Sequence, residues 1–390
     1  MTTLATRSDA VVERHGLVAS LTPLTNIGPL GQNWRQLEQR SSCSFFQSWT
    51  WIGTWLSCLP RPVELYLLEV VDGDQVIGLA VFGARTLVRH RFVRSRALLL
   101  HETGSEELDR MTIEYNSILA ETGREREVVT AAINCLGAAS ITWDELVVSG
   151  VEARAFEAWH AAVRGTNWRV VSRKESKCHF VDLDAVRDRG GDYLALLSSN
   201  TRQQVRRSIK AYETSGSLSI SVASSGEAAV EYLHGLQELH NAHWQDRGKD
   251  GAFPSEFTRN FHDRLVRDAV GRAEVQMLRV TAGEEVVGYL YNFVRNRHVY
   301  FYQSGFKYSE DPRFRPGLVC HYLAVMHNLK VDNRIYDFLA GPQRYKQSLG
   351  AADVTMYWFA LQKPRLVFSV ERFLKRVKRV IRRDDGRSAI

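Results

Sequence analysis

Arg297–Gly350 reads RHVYFYQSGFKYSEDPRFRPGLVCHYLAVMHNLKVDNRIYDFLAGPQRYKQSLG. Its opening, dense in aromatic and β-branched residues, predicts a strand over His298 to Phe306. Pro312 and Pro316 mark a loop, and a helix opens at Gly317 and runs to about Leu329. A second, buried strand follows over Arg334 to Leu339, then a Gly-Pro turn and a short helix carrying Tyr345 and Lys346. A strand that gives way to a loop and then to a helix N-terminus presents unpaired backbone N–H groups. Such groups attract anions, a pyrophosphate among them.

The order of these features resembles the GNAT acyltransferases of the CelD type, a branch with a double GNAT core that the Fem-type peptidyltransferases share. The resemblance is carried by Gln303 and Ser304 at the strand end, Pro316 and Gly317, Asp337 and Phe338, Gly341, and Tyr345 with Lys346. More loosely it reaches back to Tyr193. It implies an α+β (mixed α/β) fold of two tandem GNAT-like domains, each a central mixed sheet flanked by helices. It also implies acetyl-CoA or another acyl-CoA as co-substrate, without a metal.

A repeat supports the doubling from the residues alone. Glu64–Gly78 (ELYLLEVVDGDQVIG) lies on Glu274–Gly288 (EVQMLRVTAGEEVVG) at one constant offset, with Glu64/Glu274, Val70/Val280, Gly73/Gly283, Val76/Val286 and Gly78/Gly288 identical. Each copy reads as a hairpin with a glycine in its turn. A period this long points to a duplicated domain and not to a solenoid unit.

The reading divides the chain into an N-terminal arm (1–30), a first GNAT-like domain (31–185), a second that binds acyl-CoA and carries the chemistry (186–363), and a basic amphipathic helix (364–390). The join falls near Asp182–Gly191, where LDAVRDRGGDY ends in Gly-Gly. Beyond it, Asn200 or Thr201 is expected to cap a helix on which Arg202, Arg206 and Lys210 share one face, a solvated face or a phosphate cradle.

A chain of 390 residues with 44% hydrophobic and 24% charged residues is an ordinary globular composition, which excludes a disordered or fibrous protein. The five cysteines lack CxxC spacing and sit among apolar neighbours, so buried thiols are expected. The net charge of +7 gathers in one place: from Pro364 to Ile390 nine Lys and Arg face three acids, leaving the body nearly neutral. That argues against a nucleic-acid partner and leaves tRNA to the Fem-type alternative. The basic helix, apolar at Leu366, Val367, Val370, Phe373, Leu374, Val377, Val380 and Ile381, is expected to pack on the body or to dock on an anionic membrane surface. No stretch resembles a secretory signal or a membrane span, so a cytoplasmic, membrane-peripheral location is expected.

Acyl transfer from a thioester needs a proton acceptor for the nucleophile, a donor for the thioester oxygen, and N–H groups or cations for the phosphates. The strand end at Gln303 and Ser304 offers backbone donors; Gly317 lets a phosphate approach, with Arg313 and Arg315 adding charge. The loop departs from the usual GNAT signature of Gln or Arg, two residues, Gly, one residue, Gly or Ala. Asp337, alone in an apolar strand, is either a structural partner for a cation or a base, and Lys346 is its natural counter-charge. The resemblance implies that both lie at the active centre, and that Tyr345 gives a proton to the leaving thiolate. His240 and His243, three apart on one helix with Trp244, have spacing that would suit a metal but lack HExxH or a third ligand. The resemblance implies that this helix lines the acceptor cleft. The loop RGKDGAFP (247–254) is a candidate lid.

The expected activity is direct acyl transfer to an amine or hydroxyl of a sugar, amino-acid or polysaccharide-related acceptor. The alternatives are a Fem-type aminoacyl-tRNA-dependent peptidyltransferase and a non-catalytic scaffold in exopolysaccharide synthesis.

Overall fold

The computed structural model describes residues 10–372 apart from 15, 91, 92 and 351. The first half runs β1 (Ala10–Arg14), β2 (Leu17–Pro23), α1 (Leu30–Glu38), α2 (Trp49–Cys58), β3 (Leu65–Asp72), β4 (Gln75–Arg89), β5 (Val93–Leu100), β6 (Leu119–Ala120), α3 (Glu125–Ala138), β7 (Glu145–Glu152), α4 (Ala153–Ala162) and β8 (Arg169–Asp182). After α5 (Leu183–Asp188), α6 (Tyr193–Leu196) and α7 (Ser199–Glu213) the same order recurs. It is β9 (Leu218–Val222), α8 (Gly226–Gln245), α9 (Glu256–Ala269), β10 (Val275–Ala282), β11 (Glu285–Arg295), β12 (His298–Phe306), α10 (Pro316–Lys330), β13 (Ile335–Ala340), α11 (Arg344–Leu349) and β14 (Ala352–Gln362). The fold is mixed α/β, two like halves around one sheet.

The repeated hairpins correspond in detail. β3–β4 turns at Gly73 and β10–β11 at Gly283, both left-handed (φ 57° and 60°), the conformation glycine adopts freely. Each also shifts register at the same place, between Val70 and Val71 and between Val280 and Thr281. A bulge kept at equivalent points of both copies argues for common descent of the halves better than the identities alone.

All the strands among the described residues join one fourteen-stranded sheet in the order β1-β2-β3-β4-β5-β7-β14-β8-β13-β12-β11-β10-β9, with β6 on β4. The closing strands of the halves are exchanged. β8, which ends the first half, pairs with β13 of the second, and β14, which ends the second, pairs with β7 of the first. Between them β8 and β14 form the longest ladder of the sheet, Arg169–Asp182 against Ala352–Gln362. The hydrogen bonding therefore crosses the join that the sequence places near residues 182–191.

Three apolar layers hold this sheet. α1 and α2 pack across the halves onto α8, α9 and β10–β12, with Phe45 stacked on Phe293 (4.2 Å) and Trp51 edge-on to Phe261 (4.9 Å). Trp51 and Trp55 are core anchors there. The opposite faces carry separate clusters, under α3 and α4 in the first half and under α7 and α10 in the second.

Three expectations bear on the ends and the joining helix. Within the N-terminal arm the strand expected near Val18–Leu21 is present as β2, and it forms a hairpin with β1 and pairs with β3. The N-cap of α7 is Ser198, whose hydroxyl accepts from Thr201 N, two to three residues before the expected Asn200 or Thr201. The basic helix at 364–390 falls largely outside the described residues; 366–372 are helical, with Leu366 and Val370 exposed and Phe368 buried beneath Arg89. Of the cysteines, four are buried and Cys58 is half-buried, all as free thiols. No helix among the described residues is long and apolar enough to cross a membrane.

Candidate functional site

β12 and β13 run parallel only over His298–Tyr300 against Ile335–Asp337. Beyond that point both strands turn away. β12 takes up an extra residue, Tyr302, against β11, and β13 enters the left-handed region at Leu339 (φ 58°). The strands part, and the gap widens into a cavity of about 680 Å³ between β12, α8, α10, α11 and the 247–254 loop. It gathers nine of the residues singled out from the sequence: His240, His243, Trp244, Gln303, Ser304, Arg315, Gly317, Tyr345 and Lys346. Phe301, Phe306, Phe314 and Leu318 give it apolar walls.

The N-terminus of α10 opens on this cavity. Arg315 is its N-cap without a capping side-chain bond, Pro316 occupies the first turn, and no acidic residue follows there. Pro at that position gives up an N–H that the helix does not use, and its fixed φ starts the helix cleanly. Arg315 is held at the rim: its N–H donates to Ser208 Oγ (2.9 Å) and its guanidinium to Gln204 Oε1 (2.6 Å), both on α7. Arg313 does not border the cavity; it is exposed and paired with Asp311 (2.6 Å). A methyl group on Gly317 would meet the Phe306 ring at 3.3 Å, so this mouth is narrow.

On α8 the two histidines have different duties. His240 Nε2 accepts the Ala252 N–H (3.0 Å), so its proton sits on Nδ1 and is donated to the Ser304 carbonyl (2.9 Å). Burial lowers its pKa and keeps it neutral. His240 thereby ties the end of β12 to the expected lid, and both its nitrogens are spent. His243 Nδ1 accepts from Arg247 (2.9 Å) and its ring stacks on Tyr308 (4.2 Å), leaving its proton on Nε2. Trp244 completes an aromatic rim.

Lys346 and Asp337 face no shared cavity, in contrast to the single centre that the resemblance implies. Lys346, 7% exposed, donates to the carbonyls of Leu339 (3.2 Å) and Ala340 (2.8 Å). Asp337, fully buried, borders a second cavity of about 410 Å³ and bonds the Tyr115 hydroxyl, His298 Nε2 (3.2 Å) and Leu339 N (2.7 Å). The two side chains border different cavities, although Asp337 is near enough for its charge to favour the protonated form of Lys346.

Sequence reasoning missed Glu114, which reaches over from the first half. Its Oε2 accepts the Ala340 N–H (2.7 Å) and lies 3.6 Å from Cys178 Sγ. Burial raises the Glu114 pKa and lowers that of Lys346, while the negative charge of Glu114 pushes Lys346 back up. Burial also raises the Tyr345 phenol, which is therefore protonated at neutral pH. Its ring stacks on His321 at 5.3 Å.

The first half also has a cavity at its corresponding helix end, about 500 Å³ beside the start of α3, but its charge differs. The first turn of α3 carries Glu125 and Glu127, which repel an anion. Past the parallel pair of β5 and β7, Asp109 accepts from Thr103 N (2.8 Å) and Glu102 from the Ser149 hydroxyl (2.6 Å), and burial raises the pKa of both carboxyls. Among the described residues no group of three or more His, Cys, Asp or Glu is placed to hold a metal ion.

Two parallel strands thus part beside a helix N-terminus without a side-chain cap, and the comparisons place that arrangement within a matched domain. Residues 199–347 match the family model described as an acetyltransferase (GNAT) domain, from α7 to α11 and across the whole cavity. Among solved structures the chain is similar to FemX, with a TM-score of 0.54 at 10% identity over 83% of this chain and 95% of that one. It is also similar to the C-terminal domain of a putative lysylphosphatidylglycerol synthetase from Agrobacterium fabrum (0.52, 9% identity, 87% and 92%) and to L-PGS from Bacillus licheniformis (0.51, 10%, 87% and 96%). At these identities the likeness is one of fold. No curated protein matches the sequence.

Proposed function

We propose that the chain is an acyl-CoA-dependent acyltransferase of the CelD kind, moving an acyl group directly to an amine or hydroxyl of a sugar, amino-acid or polysaccharide-related acceptor. The observation that carries this reading is the α10 end. The Gly317 N–H, at the positive end of the helix dipole, and the Arg315 guanidinium meet at the mouth of a cavity whose walls include Phe301, Phe306, Phe314 and Leu318. That combination suits a diphosphate joined to an uncharged arm. Acyl-CoA supplies the activated thioester; the protein's part is to bind, orient and move protons. As the acceptor's nucleophile bonds to the acyl carbon it loses a proton. Asp250, the one carboxylate among the described residues bordering the cavity, exposed and paired with Arg110 (3.3 Å), takes it in this reading. Tyr345, protonated, gives a proton to the departing thiolate. Lys346 holds the backbone of residues 339–340 in shape at the point where the strands part.

Thermal shift and calorimetry with acetyl-CoA, longer acyl-CoAs and charged tRNA test the reading. An acyl-CoA at a hundredfold its Kd adds about 2.7 kcal/mol to apparent stability. A shift with charged tRNA and none with any acyl-CoA would replace this reading by the Fem-type one.

A further inference from the structure

His321 stands on α10 one turn beyond Gly317, and both border the same cavity. It is 1% exposed, stacked on Tyr345 (5.3 Å) and met edge-on by Phe301 (4.5 Å) and Phe338 (5.2 Å). Its Nδ1 lies 3.3 Å from the Tyr336 hydroxyl, and its Nε2 has no hydrogen-bond partner. Tyr336 in turn is hydrogen-bonded to the Asn292 amide, the end of a buried ladder through Gln276 (2.9 Å), Asn328 (3.1 Å) and Asn333 (2.8 Å). The imidazole is thus anchored from behind and unpaired in front. A buried polar atom without a partner is disfavoured by roughly 1–3 kcal/mol, and a phenyl ring would fill this aromatic nest without that penalty. The orphan is explained if its partner arrives with a ligand.

We propose that His321 is a binding contact for the donor's carrier arm, its Nε2 hydrogen-bonding the hydroxyl-and-amide segment next to the diphosphate. This rests on the acyl-CoA reading and adds the residue that reads the arm. Gly317 and His321 share one helix face, and four residues advance about 6 Å along the axis. A diphosphate at Gly317 is followed, a few carbon atoms on, by the arm's hydroxyl and first amide. Burial holds the imidazole neutral, with a pKa lowered to about 3, so Nε2 is a donor or an acceptor according to tautomer. A hydroxyl serves either.

The test is titration calorimetry on the full chain with CoA, acetyl-CoA and 3′-phospho-ADP, which keeps the diphosphate and lacks the arm. Phe at position 321 keeps the ring stack and removes the nitrogens. His321→Phe is expected to weaken CoA and acetyl-CoA alike by roughly tenfold, to leave 3′-phospho-ADP unchanged, and to be partly rescued by His321→Gln. Unchanged CoA affinity in His321→Phe overturns the proposal and leaves the acyl-CoA reading standing. So does an equal loss for 3′-phospho-ADP, or a loss confined to one acyl group. Failure of the wild-type chain to bind CoA at all overturns both.

Discussion

Lys346 and Asp337 grip the same backbone from opposite sides. Lys346 Nζ donates to the carbonyls of Leu339 (3.2 Å) and Ala340 (2.8 Å), while Asp337 Oδ1 accepts the Leu339 N–H (2.7 Å). The segment so held is left-handed at Leu339, a conformation that disfavours a branched side chain by roughly 1–3 kcal/mol. Both residues thus maintain the parting of β12 from β13, but only Lys346 also borders the larger cavity. Lys346→Met should lower stability by about 1–3 kcal/mol and weaken acyl-CoA binding together. Asp337→Asn should lower stability while leaving acyl-CoA affinity within twofold or so, since Asp337 faces the other cavity. Urea unfolding and calorimetry on both variants check this, and a large affinity loss in Asp337→Asn would contradict it.

Glu114 sets a pH prediction. Burial lowers the Lys346 pKa, and the nearby charges of Glu114, Cys178 and Asp337 oppose that lowering. Glu114→Gln keeps an acceptor for Ala340 N but removes the negative charge, so Lys346 loses its proton at a lower pH. If the ammonium is the working form, the alkaline limb of the kcat profile moves towards acid in Glu114→Gln, with KM for acyl-CoA little changed. A limb that stays in place would show that Lys346 does not set it.

The mouth at α10 predicts a separation of binding from stability. A carboxylate in the first turn of a helix favours the helix by about 0.3–1 kcal/mol, yet it repels a bound diphosphate. Gly317→Glu should therefore weaken CoA by more than tenfold while changing the melting temperature little, the helix gain offsetting the shift that the Phe306 ring must make at 3.3 Å. Because α3 already carries Glu125 and Glu127 in its first turn, titration of the wild type should give one CoA per chain.

How far this site could be read from the sequence depended on the range of the signal. The repeat was legible because hairpins are local: Gly73 and Gly283 must turn, and flanking residues must alternate. Nine candidate residues reached one cavity because the order strand, loop, helix, strand fixes which chain ends meet. Asp337 and Lys346 were expected together since their charges complement each other; the side of the strand on which Asp337 falls depends on register with β12 and β8, which is non-local. Glu114 lies outside any regular element, and nothing periodic in DRMTIEYNS marks it as a clamp on the other half. His321 reads as one more member of a buried helix face, and its orphaned nitrogen shows only once its neighbours are in place.

Two buried groups give opposite pH dependences that single substitutions can isolate. His262, fully enclosed and 3.3 Å from the Tyr291 hydroxyl, has its pKa lowered by burial to about 3. The unfolded chain takes up its proton first as pH falls below about 6.5, so stability present above that pH is lost on acidification. From pH 7 to 5 the loss is on the order of 2 kcal/mol. Glu102 is raised by burial to about 7, so the folded chain binds the proton first, and its contribution grows as pH falls from about 7. His262→Phe should flatten acid destabilisation relative to the wild type, and Glu102→Gln should steepen it while gaining stability at pH 8. Denaturant unfolding across pH 5–8 measures both slopes.

The exchanged strands make the halves interdependent. A fragment starting at residue 186 keeps β9–β13 but strips β13 of β8, and leaves β14 with neither of its neighbours, β7 and β8. Those orphaned edges would be long and apolar: Val354, Met356 and Phe359–Leu361 line β14, and such edges associate or fail to fold. The central core is divided too, since Phe45 and Trp51 of the first half pack on Phe293 and Phe261 of the second. Residues 186–390 expressed alone should be insoluble or molten, whereas co-expression with residues 1–185 should restore a folded complex whose CoA affinity equals that of the intact chain. A monomeric, cooperatively unfolding 186–390 fragment that binds CoA would show that the ladder between β8 and β14 is dispensable, and that the second half stands on its own core.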